Sequence, residues 1–255
     1  MDRETISKKF IGEDKNKAIN LYEKMIISYE KNIPMFGNEF YTPNIWKFFC
    51  SEIKINGLEI TNDGLFKDSE RRMICFNNIF YLSFPIKLLK ITVNTKFNKV
   101  FHNQYLGSIL SLGLERDKIG DLIVKDNSCY VVVHEDIKDY IINNLVQIGK
   151  VKCKVEEIFE SINEINYEFE TSTIMISAMR IDAVVSKIIN KSRNIAQSMI
   201  EEGLVLVNYS TIRDKSFEVK REDRITIRKY GKYILGECTG YTKSGKCKID
   251  IKKYT

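Results

Sequence analysis

Between residues 86 and 155 the apolar pattern switches repeatedly between strand and helix periodicity, and the order of those switches restricts the fold more than any other feature of the chain. Residues 86–93 are short, apolar and β-branched, as a strand requires. Residues 102–112 place Leu106, Ile109 and Leu110 on one helical face, and Gly113 can stop that helix in a left-handed conformation. Two strands follow, at 120–124 and 129–133, joined by a turn at Asp126-Asn127-Ser128. A helix at 135–145 opens with Glu135 and Asp136, where the helix dipole favours anions, and a strand at 150–155 closes the series. Strand, helix, strand, strand, helix, strand is the ferredoxin-like order, which makes the chain α+β with a ferredoxin-like domain at 83–157.

RNA-recognition motifs share that order, and their third strand carries a basic-Gly-aromatic-x-aromatic pattern. Here the corresponding stretch, 128–133, offers only Tyr130 for stacking on a base. The domain is therefore expected to be a scaffold or protein-contact module first and an RNA reader second.

Residues 1–82 form a helical or mixed region. Ile19, Tyr22, Ile26 and Tyr29 recur at helical spacing, and Thr42-Pro43 has the form of an N-cap followed by proline in the first turn. Trp46, Phe49, Cys50 and Ile53 make a second stripe, in which Trp46 is a core anchor, and Asn62-Asp63-Gly64 is a turn between strands. After the middle domain, residues 158–178 are acidic and weakly patterned, which predicts a linker with a strand only at its end, 174–177.

Charge separates the last third from the rest. Residues 180–255 hold 17 Lys and Arg against 9 Asp and Glu, a net of +8, whereas residues 1–179 hold 23 against 25, a net of −2. Such asymmetry predicts a polyanionic partner for the basic part. No run approaches the ~18 apolar residues that span a bilayer, and the first residues lack an apolar signal core, so a soluble, cytoplasmic protein is expected. The six cysteines follow no zinc spacing and are expected to be reduced, mostly buried thiols. No metal or cofactor is implied.

The basic third, 179–255, carries the candidate site. Ile181, Val184, Val185, Ile188 and Ile189 form one apolar helical face, with Arg180, Lys187 and Lys191 in a stripe beside it. Ser192 caps a second helix, whose buried face is Ile195, Ala196, Met199 and Ile200, leaving Arg193, Asn194 and Gln197 on the other side. Arg193 stands in the first turn, where free backbone N–H groups also attract phosphate, so Arg193→Glu is expected to weaken binding strongly while leaving the fold intact. Gly203 stops the helix, residues 204–207 form a strand, and 208–211 a turn. Arg213, Lys215, Arg228, Lys229 and Lys232 complete the expected RNA-binding set, with Tyr230, Tyr233 and Tyr241 interleaved among the cations of the final hairpins.

Arg180-Ile181-Asp182, Ser192-Arg193, Ala196, Ile200, Gly203, Val205, Val207 and Asn208 together resemble the S4-type RNA-binding domain over residues 179–230. Upstream, His102, Leu106-Gly107, Leu112-Gly113-Leu114, Arg116 and Ile119-Gly120-Asp121 resemble the middle domain of YlmH-like proteins. Tyr209 departs from the pattern, which has a small residue after the asparagine, and Asn103-Gln104 stands where a more charged pair is usual. The resemblance implies a bacterial, cytoplasmic, ribosome-associated RNA binder: contacts to ribosomal RNA and tRNA on the large subunit, and a role with stalled or obstructed subunits. It also implies a link to cell division. The alternative is a protein–protein adaptor linked to cell division, in which the acidic-to-neutral first two domains hold a partner and the basic domain adds only electrostatic attraction.

Enzymatic readings find little purchase. Residues 180–182 precede a short basic helix rather than a pseudouridine synthase domain, no glycine-rich turn of methyltransferase type follows a strand, and only His102 and His134 are available as histidine bases. A monomeric, non-enzymatic protein is expected.

Overall fold

The computed structural model describes residues 3–94, 100–159, 165 and 167–254. The chain divides into two compact units, Met1–Asn166 and Tyr167–Thr255.

The first unit opens with helices α1 (Arg3–Lys9) and α2 (Gly12–Lys31), strand β1 (Met35–Phe36), helix α3 (Pro43–Lys47) with a π-type turn at Phe48–Glu52, and strands β2 (Ile60–Asp63) and β3 (Met73–Phe76). The three strands pair antiparallel in the order β1-β3-β2. Helix α2 fully buries Ala18, Leu21, Met25 and Ser28, and the expected Ile19, Tyr22 and Ile26 pack part-buried against the same core, while Tyr29 is exposed. Asn77 donates from its side chain to the Ser28 carbonyl, and the Ser28 hydroxyl donates to the Ile33 carbonyl. Trp46 is only part-buried, its indole N–H donating to the Glu70 carbonyl and the Arg72 guanidinium lying over its ring.

The ferredoxin-like order holds. Strands β4 (Ile86–Val93), β5 (Ile119–Lys125), β6 (Ser128–His134), β7 (Gln147–Ile148) and β8 (Val151–Ile158) alternate with helices α4 (His102–Leu110) and α5 (Glu135–Asn144). The sheet runs β5-β6-β4-β8-β7, antiparallel throughout. Leu89, Ile91, Val131 and Val133 meet Tyr105, Ile109 and Ile141 of the helices in one core. Gly113 does take the left-handed conformation after α4.

The middle-domain motif proves to be a joint to the N-terminal elements. Buried Asp121 accepts backbone N–H groups of Glu70 and Arg71, Arg116 donates to the carbonyls of Ile119 and Gly120, and Asp117 pairs with Lys17 and Arg71. A side chain at Gly120 would meet the Phe40 ring at 2.9 Å, so only glycine lets that ring pack against β5.

The second unit contains β9 (Phe169–Ile176), helices α6 (Ile181–Ile188) and α7 (Arg193–Glu201), β10 (Val205–Val207), β11 (Ser210–Thr211), β12 (Arg224–Ile227), β13 (Gly231–Tyr241) and β14 (Cys247–Tyr254). Its antiparallel sheet runs β11-β10-β12-β13-β14-β9. Two expectations are corrected here. The stretch expected as linker contains a full strand: β9 pairs with β14 along its length, from Tyr254 opposite Phe169 to Cys247 opposite Ile176. As an edge strand it buries only Ile174 and Ile176, so the apolar alternation that announces a strand is missing over 169–173. The thiols are not all reduced either, because Cys238 and Cys247 form a disulfide across the β13–β14 hairpin, a pairing of strand neighbours that no spacing rule reveals. Cys75 and Cys129 are buried free thiols, as expected. No helix among the described residues is long and apolar enough to cross a membrane.

Candidate nucleic-acid interface

Helices α6 and α7 pack their apolar faces on the inner side of the six-stranded sheet of the second unit, with Val184, Val185, Ala196 and Ile200 against Val205, Ile225, Leu235 and Ile249. Ser192 caps α7 as expected, its side chain accepting the Ile195 N–H, and Gly203 ends the helix with a φ of 75°. Ile195 itself is exposed, correcting its place on the buried face.

Asp182 organises the pair. Its side chain is 0% exposed, although it carries a charge on the apolar side of α6. Arg193 grips it bidentately, Nε to Oδ2 at 2.8 Å and Nη2 to Oδ1 at 2.9 Å. Arg180, the N-cap residue of α6, donates from Nε and Nη2 at 3.3 and 3.2 Å, and Gln197 donates from Nε2 at 2.9 Å. Burial pushes the Asp182 pKa upward, but the hydrogen bonds from Arg193, Gln197 and Arg180 outweigh it and hold the carboxyl well below the usual carboxylate range. The hydrogen bonds that Arg193 itself donates to Asp182 raise the pKa of Arg193.

Arg180 and Arg193 are thus anchored rather than loose. Their side chains remain 39% and 46% exposed. In each, Nη1 and the second Nη2 hydrogen lie beyond the bonds to Asp182, so a fixed donor edge is retained. Two cations share one buried anion, leaving a local excess of one positive charge. The expectation that Arg193→Glu spares the fold is overturned on physical grounds, because that substitution sets a second carboxylate against a buried one.

The other expected residues fall into separate groups. Lys187 is exposed on α6, but Lys191 is not in its stripe: the helix closes at Ile189 and Asn190 turns left-handed, so Lys191 lies in the connection beside exposed Ser192 and Asn194. Arg213 and Lys215 serve the far end of α7, Arg213 donating to the Glu201 carbonyl at 2.6 Å and Lys215 pairing with the Glu201 carboxylate at 3.1 Å. Arg228 and Lys229 are exposed at the β12–β13 turn. Lys232 is half-buried and donates to the Tyr209 hydroxyl at 2.6 Å. Of the interleaved tyrosines, Tyr233 is core, whereas Tyr230 and Tyr241 are exposed.

Asp182 itself was legible as a candidate anchor. It precedes Val185 by three residues and Ile189 by seven, which puts it on the buried face, where a carboxylate demands partners. In the first unit, His134 caps α5, its Nδ1 accepting the Asp136 N–H at 3.2 Å; burial and the nearby Lys118 lower its pKa. The described residues hold no cluster of three or more His, Cys, Asp or Glu able to bind a metal.

Comparison with known proteins bears on both units. Residues 82–161 match the family described as "Putative RNA-binding domain in YlmH", and residues 179–225 match the S4 domain. A relative from Bacillus subtilis (strain 168), "Ribosome-associated protein quality control protein P2", is 29% identical over 171 residues, covering 67% of this chain and 66% of that protein. A solved structure, "Cell division protein ylmH from Streptococcus pneumoniae", shares 21% identity at a TM-score of 0.48, covering 58% of this chain and 93% of that one.

Proposed function

We propose, from the premise that this is a YlmH-like protein in which a YlmH-type RNA-binding domain precedes an S4 domain, that it binds structured RNA of the large ribosomal subunit together with tRNA. The proposed role is rescue or quality control of obstructed subunits in the cytoplasm, by a monomer without catalysis. The observation that carries the RNA-binding part is the Asp182-anchored pair of guanidiniums on the α6–α7 surface. Fixing the forks before binding lowers the ordering cost of gripping phosphate, and arginine supplies the planar geometry that phosphate accepts. Lys187, Lys191 and Asn194 are exposed on the same helix pair or its connection and extend the surface. The quality-control relative supports placing this activity on the ribosome.

The test is the salt dependence of binding. Affinity for large-subunit RNA or tRNA should fall with a logarithmic slope of about −0.7 to −0.9 per phosphate neutralised. Lys187→Ala and Lys191→Ala should each reduce that slope by about one while leaving the melting temperature unchanged. Unaltered slopes in both variants would remove this surface from consideration.

One observation favours the adaptor as a second reading. The buried Asn78 closes a tight loop, donating to the Leu82 carbonyl and accepting the Leu82 N–H, so that Phe80 and Tyr81 project 67% and 89% exposed. Ordered exposed apolar groups of this kind mark protein contacts. If ribosome co-sedimentation is lost in a Phe80→Ser, Tyr81→Ser variant but kept in Lys187→Ala, Lys191→Ala, the adaptor reading prevails.

A further inference from the structure

The six-stranded sheet of the second unit has an outer face, opposite the one covered by α6 and α7. Inward residues of β12, β13, β14 and β9 (Ile225, Tyr233, Ile251, Ile174) belong to the core, so their neighbours in sequence point outward by strand alternation. Register places Lys232 opposite both Thr226 and, through the Tyr233–Lys253 pair, Tyr254; Tyr254 in turn lies opposite Phe169. The next row contains Arg224, Ile234, Lys252 and Thr171.

This arrangement gathers aromatic rings and cations. The Tyr254 and Phe169 centroids are 4.9 Å apart, edge to face, with Tyr167 at 5.4 Å from Tyr254. Lys232 Nζ lies 4.5 Å from the Tyr209 ring centre and 5.1 Å from that of Tyr254, and Lys252 Nζ lies 6.0 Å from that of Phe169. Tyr209 reaches this position from a two-residue hairpin turn in which both Asn208 and Tyr209 have positive φ, 48° and 70°, an unfavourable conformation for tyrosine. Phe169 is 38% exposed and Lys252 is exposed. Among the described residues of the β9–β14 pairs from Phe169 to Thr173, Asp250 is the one carboxylate on this face, and it already accepts the Thr173 hydroxyl at 2.7 Å.

We propose that this outer face is a second nucleic-acid surface, taking single-stranded RNA. Bases stack on Phe169 and Tyr254, while Lys232, Lys252 and Arg224 attract the phosphates. Aromatic platforms beside cations bind single strands with little sequence preference, because every base offers a π-face. The charge balance of the face selects a polyanion. The proposal rests on the RNA-binding reading above and adds to it a site on the opposite side of the sheet, for an unpaired segment rather than a folded one.

The experiment uses the full chain and two fluorescent probes, a short oligoadenylate and an RNA hairpin. Phe169→Ala should weaken oligoadenylate binding about tenfold, the loss of one base–aromatic stack, and leave hairpin affinity unchanged. Lys252→Gln, at an exposed position that the fold does not need, should lower the oligoadenylate salt slope by about one. Photocrosslinks of oligoadenylate should map to peptides containing Phe169, Tyr209 or Tyr254. Unchanged oligoadenylate binding in both variants, or an equal loss for both probes, overturns the second surface while the α6–α7 reading stands. Failure of the unaltered chain to bind either probe overturns both.

Discussion

Removing Arg193 should destabilise the second unit before it affects any RNA. Arg193→Ala deletes two charge-assisted bonds to a carboxylate whose side chain has no exposure. Stripping one partner from a fully buried pair costs about 3–5 kcal/mol. Here Arg193 is half exposed, and Arg180 and Gln197 still hold Asp182, so the loss should sit below that range, at about 2 kcal/mol. In a unit of this size that lowers the melting temperature by about 8–16 °C. Thermal unfolding of Arg193→Ala, Asp182→Asn and the double variant forms the assay. Asp182→Asn removes the charge that needs compensation, so the double variant should be at least about 1 kcal/mol more stable than the two single losses added together. Acid unfolding supplies an independent reading. The folded pKa of Asp182 is depressed, so its contribution is present above the unfolded value and is lost as pH falls through the folded one. The unaltered chain should therefore lose stability below about pH 4, and Asp182→Asn should lose less over the same range. Strictly additive losses together with identical acid profiles would refute the anchored pair.

Three further outcomes follow from other parts of the structure. The His134 pKa is lowered by burial and Lys118, so the first unit should lose stability as pH falls below the unfolded value of about 6.5; His134→Asn, which keeps a cap, should flatten that dependence in a pH series of melts. Gly120→Ala should cost about 1–3 kcal/mol by driving a methyl group into the buried Phe40 ring, measured by denaturant unfolding, and an unchanged midpoint would deny the close approach. A fragment beginning at Tyr167 should fold, whereas one beginning at Met179 should aggregate or melt at a markedly lower temperature, because it loses buried Ile174 and Ile176 and leaves the β14 edge unpaired; circular dichroism distinguishes the two.

Much of the architecture is written locally. The ferredoxin-like series needed only strand and helix periods, and its helix signals, the Glu135-Asp136 start and the Gly113 stop, are decided within a few residues of where they act. The same is true of the Ser192 cap and the Gly203 terminus, which define the helix pair of the candidate site. Sequence reasoning failed where burial depends on a distant partner. On α2 the expected Ile19, Tyr22 and Ile26 reach the core but Tyr29 does not, and Ser28, which meets Asn77, is buried in its place; β9 was hidden because an edge strand with one neighbour has few residues to bury. The disulfide was missed for the same reason: Cys238 and Cys247 meet only through the hairpin they help to close.

Composition and spacing alone determined that the positive charge sits in the last third and that two short helices would carry part of it, since net charge and amphipathic period are properties of contiguous residues. Which cations are anchored and which extend freely into solvent was a tertiary decision. A carboxylate buried on α6 claims Arg193 and Gln197 from α7, and a tyrosine from one hairpin meets a lysine from another strand. Charge is encoded residue by residue, but its pairing is set by distances that exist only once the helices have packed on the sheet.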